Sequence, residues 1–174
     1  FDKVARVLGL SYPGGPSIDK LAKKGKNNIK FNYHPPLHES YNFSFSGLKT
    51  AVVNYVHTLE QKKEPVNKEN VACSFQEIVT DELTDKVMRY VLENGKKQLV
   101  VAGGVGANSR LREKLTKQCE KNNIQIFLPD LKYCTDNAAM IGSMAYYYLK
   151  NGLGLADLTL TAKPNVEITL SSKN

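Results

Sequence analysis

Apolar residues recur three and four positions apart through most of the first half of the chain, which is the spacing of an amphipathic helix. The helices that this spacing predicts cover residues 2–8, 16–22, 47–59 and 67–94. Gly9 and Gly95 follow the first and the last of them, and glycine is common just past the end of a helix. The pattern therefore predicts a largely helical first half.

Extended structure is predicted in two segments of this half. Residues 23–40 are polar and form a predicted loop, with a short strand at 29–32. Aromatic and small polar residues alternate over 41–46, which predicts a half-buried strand. Ser46 can then cap the helix that follows.

The second half combines short apolar runs with helices. Residues 99–102 predict a strand buried on both faces, and residues 124–128 predict a second strand that Pro129 ends. Between them, apolar residues four apart predict a helix over 108–121. Strands that alternate with helices indicate an α/β domain with right-handed crossovers.

The connection between the first of these strands and its helix carries Gly103 and Gly104. Glycines allow a sharp turn with positive φ and leave no Cβ between the backbone and a ligand, while the following helix directs unpaired N–H groups toward the turn. This pattern is typical of a nucleotide-binding turn. The alternative is a tight strand-to-helix connection in which Asn108 only caps the helix.

Two acidic residues stand at the starts of predicted helices. Asp2 and Gly15 flank one helix–turn–helix corner, where they could be a surface carboxylate and a turn glycine with no further role. Thr135 is the predicted N-cap of a last helix that is apolar nearly all round, and Asp136 lies in its first turn. Such a helix is expected to pack closely on several sides. Asp136 could complement the helix dipole or point into a cleft as a ligand of a metal or phosphate group.

Composition adds bounds to this picture. The chain has 174 residues and is 41% hydrophobic, which suits one globular domain. Its apolar runs are far shorter than the ~20 residues that span a bilayer, and no charged-then-apolar leader is present, so we expect a cytosolic protein without a membrane partner. Its first residue is Phe1 rather than Met, which suggests a fragment. The three cysteines, not in Cys-x-x-Cys spacing, are predicted to be buried thiols.

The net charge of +7 favours an anionic partner such as a nucleotide or nucleic acid. The lysines lie in short clusters near predicted helix ends, where a solvated surface is the alternative to an RNA-facing patch. His34 and His38 have the spacing of a metal pair, but Pro35 and Pro36 prevent the helix that would align them, so we reject this site. His57 stands alone in a helical pattern and is not expected to be catalytic.

Five sequence motifs, in order across nearly the whole chain, carry a more specific signal. They are FDKVA at 1–5, YPGGP at 12–16, FSFSGLKTAV at 43–52, GGVGANSRLR at 103–112 and CTDNAAMI at 134–141. Together they resemble the TsaD family, formerly called O-sialoglycoprotein endopeptidases. The resemblance implies an actin/Hsp70/sugar-kinase-like (ASKHA) fold, of which residues 1–174 would be the C-terminal, nucleotide-binding half.

The same resemblance implies a function. The family transfers threonylcarbamoyl from threonylcarbamoyl-adenylate to N6 of adenosine 37 in tRNAs that read codons beginning with A. By motif, Asp2, Gly15 and Asn108 would contact the adenylate or nucleotide, with Gly103 and Gly104 in the nucleotide loop. No Ser-His-Asp set is visible, so we expect direct attack by the tRNA amine with AMP leaving.

Metal and partner proteins are also implied by the resemblance. Asp136 would be one ligand of a single divalent metal ion, usually iron. The other ligands would be a histidine pair in an N-terminal half that this chain does not contain, so we expect the chain alone to lack activity. TsaB-type and TsaE-type proteins would be partners, beside tRNA and the adenine nucleotide.

Three other functions are weighed against this one. A sugar or acetate kinase of the same superfamily would share the glycine turn, but it should have a catalytic acidic residue and a sugar-binding polar cluster. A metalloprotease would need His-Glu-x-x-His, which is absent from the sequence. The third alternative is a nucleotide-binding or scaffold module without activity.

Overall fold

The computed structural model describes residues 1–35, 40–153 and 155–162, and it divides the chain into two compact units, Phe1–Asp136 and Asn137–Asn174. The helices of the first unit are α1 (Asp2–Val7), α2 (Gly14–Ala22), α3 (Ser46–Gln61), α4 (Lys68–Glu93) and α5 (Ser109–Lys121). Its strands are β1 (Gln98–Val100) and β2 (Gln125–Phe127). Short 3-10 turns occupy Gly104–Ala107 and Leu131–Tyr133, and the second unit contains α6 (Ala138–Lys150).

The helical first half packs around α4. Apolar residues of α1 to α4 form one buried cluster, in which Val4, Ile18, Leu48 and Val71 are at most 1% exposed. The predicted α4 is confirmed, and its N-cap Asn67 accepts a hydrogen bond from the backbone N–H of Asn70 at 2.8 Å. Helical spacing of apolar residues thus identified the elements that make the main core.

Two details of these helices differ from the prediction. The helix predicted to start at Pro16 starts at Gly14, because the extended backbone of Pro13 already places its N-cap there. Ser46 is not a cap but the first residue of α3, and its carbonyl accepts a hydrogen bond from the Thr50 hydroxyl at 3.1 Å.

The two strands form a parallel pair joined by α5, with Leu99 opposite Ile126. Both of these side chains pack against a small cluster that includes Met88 of α4 and Cys119 of α5. The prediction that the first strand is buried on both faces is wrong, since Val100 is 71% exposed. In the described part of the first unit the helices cover one face of this sheet, which leaves the alternate side chains in solvent.

The predicted strands at 29–32 and 41–46 do not form. The second segment lies along α4 instead, where Lys86 donates to the carbonyl of Asn42 at 2.5 Å and the ring of Tyr90 packs edge-on against Tyr41. A helix side chain therefore satisfies a backbone carbonyl that a neighbouring strand would otherwise bond.

The last helix also starts later than predicted. Its N-cap is Asn137, whose side chain accepts from the backbone N–H of Met140 at 3.2 Å, so neither Thr135 as N-cap nor Asp136 in the first turn is correct. Within its own unit every residue of α6 is exposed, and the close packing expected of this helix stays a prediction. Residues 155–162 contain a turn and no strand.

Within the described ranges, no helix is long and apolar enough to cross a membrane.

Candidate functional site

A cleft of about 700 Å³ opens in the first unit between three segments of the chain. One wall is the corner formed by α1 and α2, which we call the corner wall. The other is the glycine turn over residues 104–108, and residues 131–135 extend it. Four residues singled out from the sequence, Asp2, Gly15, Gly104 and Asn108, all line this cleft.

The corner wall is built by direct contact between its two helices. The carboxylate of Asp2 accepts a hydrogen bond from the backbone N–H of Gly14 at 2.8 Å, so the first residue of α1 satisfies an N–H that has no partner within α2. A Cβ on Gly14 would lie 2.6 Å from the Cα of Asp2, whereas a Cβ on Gly15 would meet nothing within 4 Å. Gly14 is therefore needed for packing, and Gly15 leaves open space beside the cleft.

The glycine turn contains one element that was not predicted, the 3-10 turn over Gly104–Ala107. Gly103 has φ of 87°, a conformation that favours glycine, and the 3-10 turn then precedes α5. Gly104 lines the cleft, and a Cβ added to it would meet no atom within 4 Å, while Gly103 shapes the turn without lining the cleft. The two glycines therefore have separate tasks.

Asn108 joins the glycine turn to the helices behind it. Its side-chain oxygen accepts from the backbone N–H of Leu111 at 2.9 Å, which confirms the predicted N-cap of α5. Its side-chain nitrogen donates to the side-chain oxygen of Gln76 at 2.9 Å. Asn108 is only 8% exposed, so it lines the cleft while its amide is held from behind.

Apart from Asp2, sequence reasoning missed the charged residues of the cleft. Asp19 and Lys20 of α2 line it, and so does Lys23, which directly follows that helix. The hydroxyl of Ser109 donates to Asp19 at 2.8 Å, which connects the corner wall to the start of α5. The available signal was spacing, since Asp19 follows Gly15 by four residues and so lies on the same face of α2. Gln76 was missed too; it is a polar residue on the buried face of α4, 4% exposed.

Ion pairs fix α5 against α4 behind the glycine turn. Glu77 of α4 contacts Arg110 at 2.6 Å and Lys114 at 2.8 Å. Burial raises the pKa of the Glu77 carboxyl, but the hydrogen bonds and charges of these two cations outweigh it and hold that pKa below its ordinary value. Glu77 is therefore ionised at neutral pH and keeps the helix that carries the turn in place.

The residues predicted for a metal do not form a site on their own. Asp136 is exposed and does not line the cleft, although its neighbour Thr135 does. Within residues 1–35, 40–153 and 155–162, no three His, Cys, Asp or Glu side chains are grouped so that they could hold a metal ion. His38, half of the rejected histidine pair, lies outside the described residues. Asp136 alone therefore offers at most one ligand.

The cysteines are free thiols. Cys119 and Cys134 are buried as predicted, and Cys73 is only partly buried. Burial raises the pKa of the Cys73 and Cys119 thiols, which keeps both protonated at neutral pH.

Comparison with known proteins gives one consistent result. The family model described as TsaD, tRNA N6-adenosine threonylcarbamoyltransferase, matches residues 1–143. A protein of that name from Caldicellulosiruptor saccharolyticus is 54% identical over 152 residues, which are 87% of this chain and 45% of the relative. One from Staphylococcus haemolyticus is 50% identical over 168 residues, 97% of this chain and 49% of the relative. The chain thus spans about half the length of the curated relatives it matches, and it belongs to the TsaD family.

Proposed function

We propose that this chain is the C-terminal, nucleotide-binding half of a tRNA N6-adenosine threonylcarbamoyltransferase with an actin-like (ASKHA) fold. The whole protein would transfer threonylcarbamoyl from threonylcarbamoyl-adenylate to N6 of adenosine 37 in tRNAs that read codons beginning with A. The observation that carries the proposal is the cleft, where Asp2, Gly15, Gly104 and Asn108 come together from distant parts of the sequence.

The lining of the cleft suits an adenylate. Lys20 and Lys23 supply cations for its phosphate, and the carboxylates of Asp2 and Asp19 can accept hydrogen bonds from ribose hydroxyl or adenine amino groups. Gly15 and Gly104 leave space for the ligand to approach the backbone closely. The site thus combines cations, carboxylates and free space beside two glycines. This combination suits a small ligand that has an anionic group and several hydrogen-bond donors.

The reaction needs little covalent chemistry from the protein. The N6 amine of the tRNA adenosine would attack the carbonyl carbon of the mixed anhydride and release one proton to solvent, the bond from that carbon to the phosphate oxygen would break, and AMP would leave. The lysines beside the cleft would stabilise the charge that grows on the departing phosphate. The tRNA backbone is also an anion, which agrees with the net charge of +7.

The proposal includes one divalent metal ion, iron, and most of its ligands would come from outside this chain. The single exposed carboxylate of Asp136 could supply one of them, but the described residues do not form a complete site. No step of the mechanism is therefore assigned to the metal from this chain. TsaB-type and TsaE-type partner proteins and a cytoplasmic location complete the proposal.

The experiment compares the full-length protein with the 174-residue chain. We expect threonylcarbamoyl transfer to tRNA, followed by mass spectrometry of the nucleosides, from the full-length protein only, because the chain has half of the site. Turnover by the 174-residue chain alone would contradict this division of the site.

Asp136→Ala in the full-length protein tests the metal assignment. Metal content per protein and transfer rate should both fall, while Asp130→Ala, an acidic control just upstream, should retain both. Undiminished activity and metal content in Asp136→Ala would remove Asp136 from the site.

A further inference from the structure

Arg112 of α5 bonds to two separate chain segments at once. Its Nε donates to the carbonyl of Gly106 at 2.7 Å, within the glycine turn. Its Nη2 donates to the carbonyl of Pro129 and lies 3.5 Å from the Cys134 sulfur, both in the segment that follows β2. One guanidinium thus bridges residues that are far apart in the sequence.

Both bridged segments contribute to the cleft. Gly104, Val105 and Ala107 on either side of Gly106 line it, and so do Leu131 and Thr135 of the second segment. Arg112 itself does not line the cleft. Any effect of Arg112 on a bound ligand must therefore pass through the two segments.

The position of Arg112 makes this bridge stiff. The side chain is half-buried, and its planar fork presents donors in fixed directions, so two carbonyls bonded to it keep a fixed separation. Gly106 is tied again from its other side, because its N–H donates to the carbonyl of Gly103 at 2.9 Å. The second segment holds itself by local bonds, including that of the Tyr133 N–H to the Asp130 carbonyl at 2.9 Å.

We propose that Arg112 is a positioning residue, which sets the distance between the glycine turn and residues 129–135 and so keeps the cleft shaped for the adenylate. The proposal rests on the proposed function for the identity of the ligand, but the bridge is a property of the chain itself. Loss of the bridge should loosen both segments together and weaken ligand binding, with little effect on the chemical step.

Arg110 provides a matched control on the same helix. It is also a half-buried arginine, but its partners are Glu77 and Glu113, away from the two bridged segments. Arg110→Met should lower the melting temperature, since it breaks the pairing with Glu77. It should leave residues 129–135 unchanged, because the partners of Arg110 lie on α4 and α5.

The first measurement is amide hydrogen exchange on the 174-residue chain. Arg112→Met should speed exchange about tenfold in residues 103–108 and also in 129–135, as expected from loss of hydrogen bonds that a charged group donates. Arg110→Met should not speed exchange in residues 129–135. Faster exchange in only one segment, or in neither, would overturn the proposal.

The second measurement is steady-state kinetics of the full-length protein. Arg112→Met should raise KM for the adenylate about tenfold with kcat nearly unchanged, which is the pattern for lost uniform binding. Arg112→Lys keeps the charge but replaces the planar fork by one compact ammonium, so it should give an intermediate KM, and it remains useful if Arg112→Met fails to fold. An equal rise in KM for Arg110→Met would overturn the proposal. If the unsubstituted full-length protein transfers nothing, the proposed function fails, while exchange still decides the role of Arg112.

Discussion

The two walls of the cleft are made in different ways. The corner wall is part of the main core, where Val4 and Ala5 of α1, Leu8 at its end and Ile18 of α2 are at most 1% exposed. The glycine-turn wall is more open, with Val105 45% exposed and free space beside Gly104. Hydrogen bonds of Asn108 and Arg112 hold it in place.

This difference predicts how each wall responds to substitution. Buried side chains in a packed wall contribute directly to the free energy of unfolding, so changes there should destabilise the protein. A wall held by a few polar contacts can lose its shape at a small cost to global stability. Substitutions in the corner wall should therefore lower the free energy of unfolding, whereas substitutions in the glycine-turn wall should mainly weaken ligand binding.

The largest effect is expected for Gly14→Val. Its Cβ would lie 2.6 Å from the Cα of Asp2 and 2.7 Å from the Cβ of Ala5, so α1 must move away from α2. Overpacking of this kind should lower the free energy of unfolding by roughly 3 kcal/mol, measured by urea denaturation.

Gly15→Val is the matched control for this substitution. A Cβ there meets nothing within 4 Å, so the free energy of unfolding should change by less than about 0.5 kcal/mol. Adenylate binding should weaken, because the side chain would stand beside the cleft. Equal losses of stability for the two variants would mean that the corner wall is not packed as described.

Asn108→Ala should have a smaller but combined effect. It removes the N-cap of α5 and leaves the buried side-chain oxygen of Gln76 without its donor, which together should cost about 2–3 kcal/mol. The bonds of Asn108 to Gln76 and Leu111 thus predict a loss of stability that capping alone would not give. Calorimetric titration and urea denaturation should show binding and stability falling together.

Asn108→Asp separates the two contributions. A carboxylate keeps the capping oxygen, and Gln76 can turn its amide to donate to the other oxygen. Most of the stability should return. If Asn108→Asp is as unstable as Asn108→Ala, then the bond to Gln76 depends on the amide nitrogen of residue 108.

The sequence was a good guide to features that depend on local spacing. α5 has the predicted cap, Asn108, because capping uses a side chain and an N–H only three residues apart. It was a poor guide where tertiary contacts decide. The exposure of Val100 depends on which face of the sheet the helices cover, and the predicted strand at 41–46 was replaced by contacts with α4.

Only some of the cleft residues could be predicted from the sequence. The resemblance to known motifs supplied Asp2, Gly15 and Asn108, and the structure places them around one cleft. Lys20 and Gln76 belong to segments outside those motifs, and only the packing of α2 and α5 against α4 brings them to the site. Sequence motifs therefore identify residues of the cleft, whereas the residues that hydrogen-bond to them, such as Gln76, are identified only from the folded structure.

Small effects on stability are expected within the glycine turn, where Gly103 and Gly104 can be compared directly. Gly103→Ala should cost about 1 kcal/mol, because φ of 87° is unfavourable for a residue with a Cβ. Gly104→Val should leave the free energy of unfolding nearly unchanged, since its Cβ position is open, yet its side chain would occupy the cleft and abolish adenylate binding. Urea denaturation and calorimetric titration of the full-length protein measure the two quantities separately. A fall in stability for Gly104→Val as large as its loss of binding would make this glycine structural, and the difference between the two walls would then not hold at the turn.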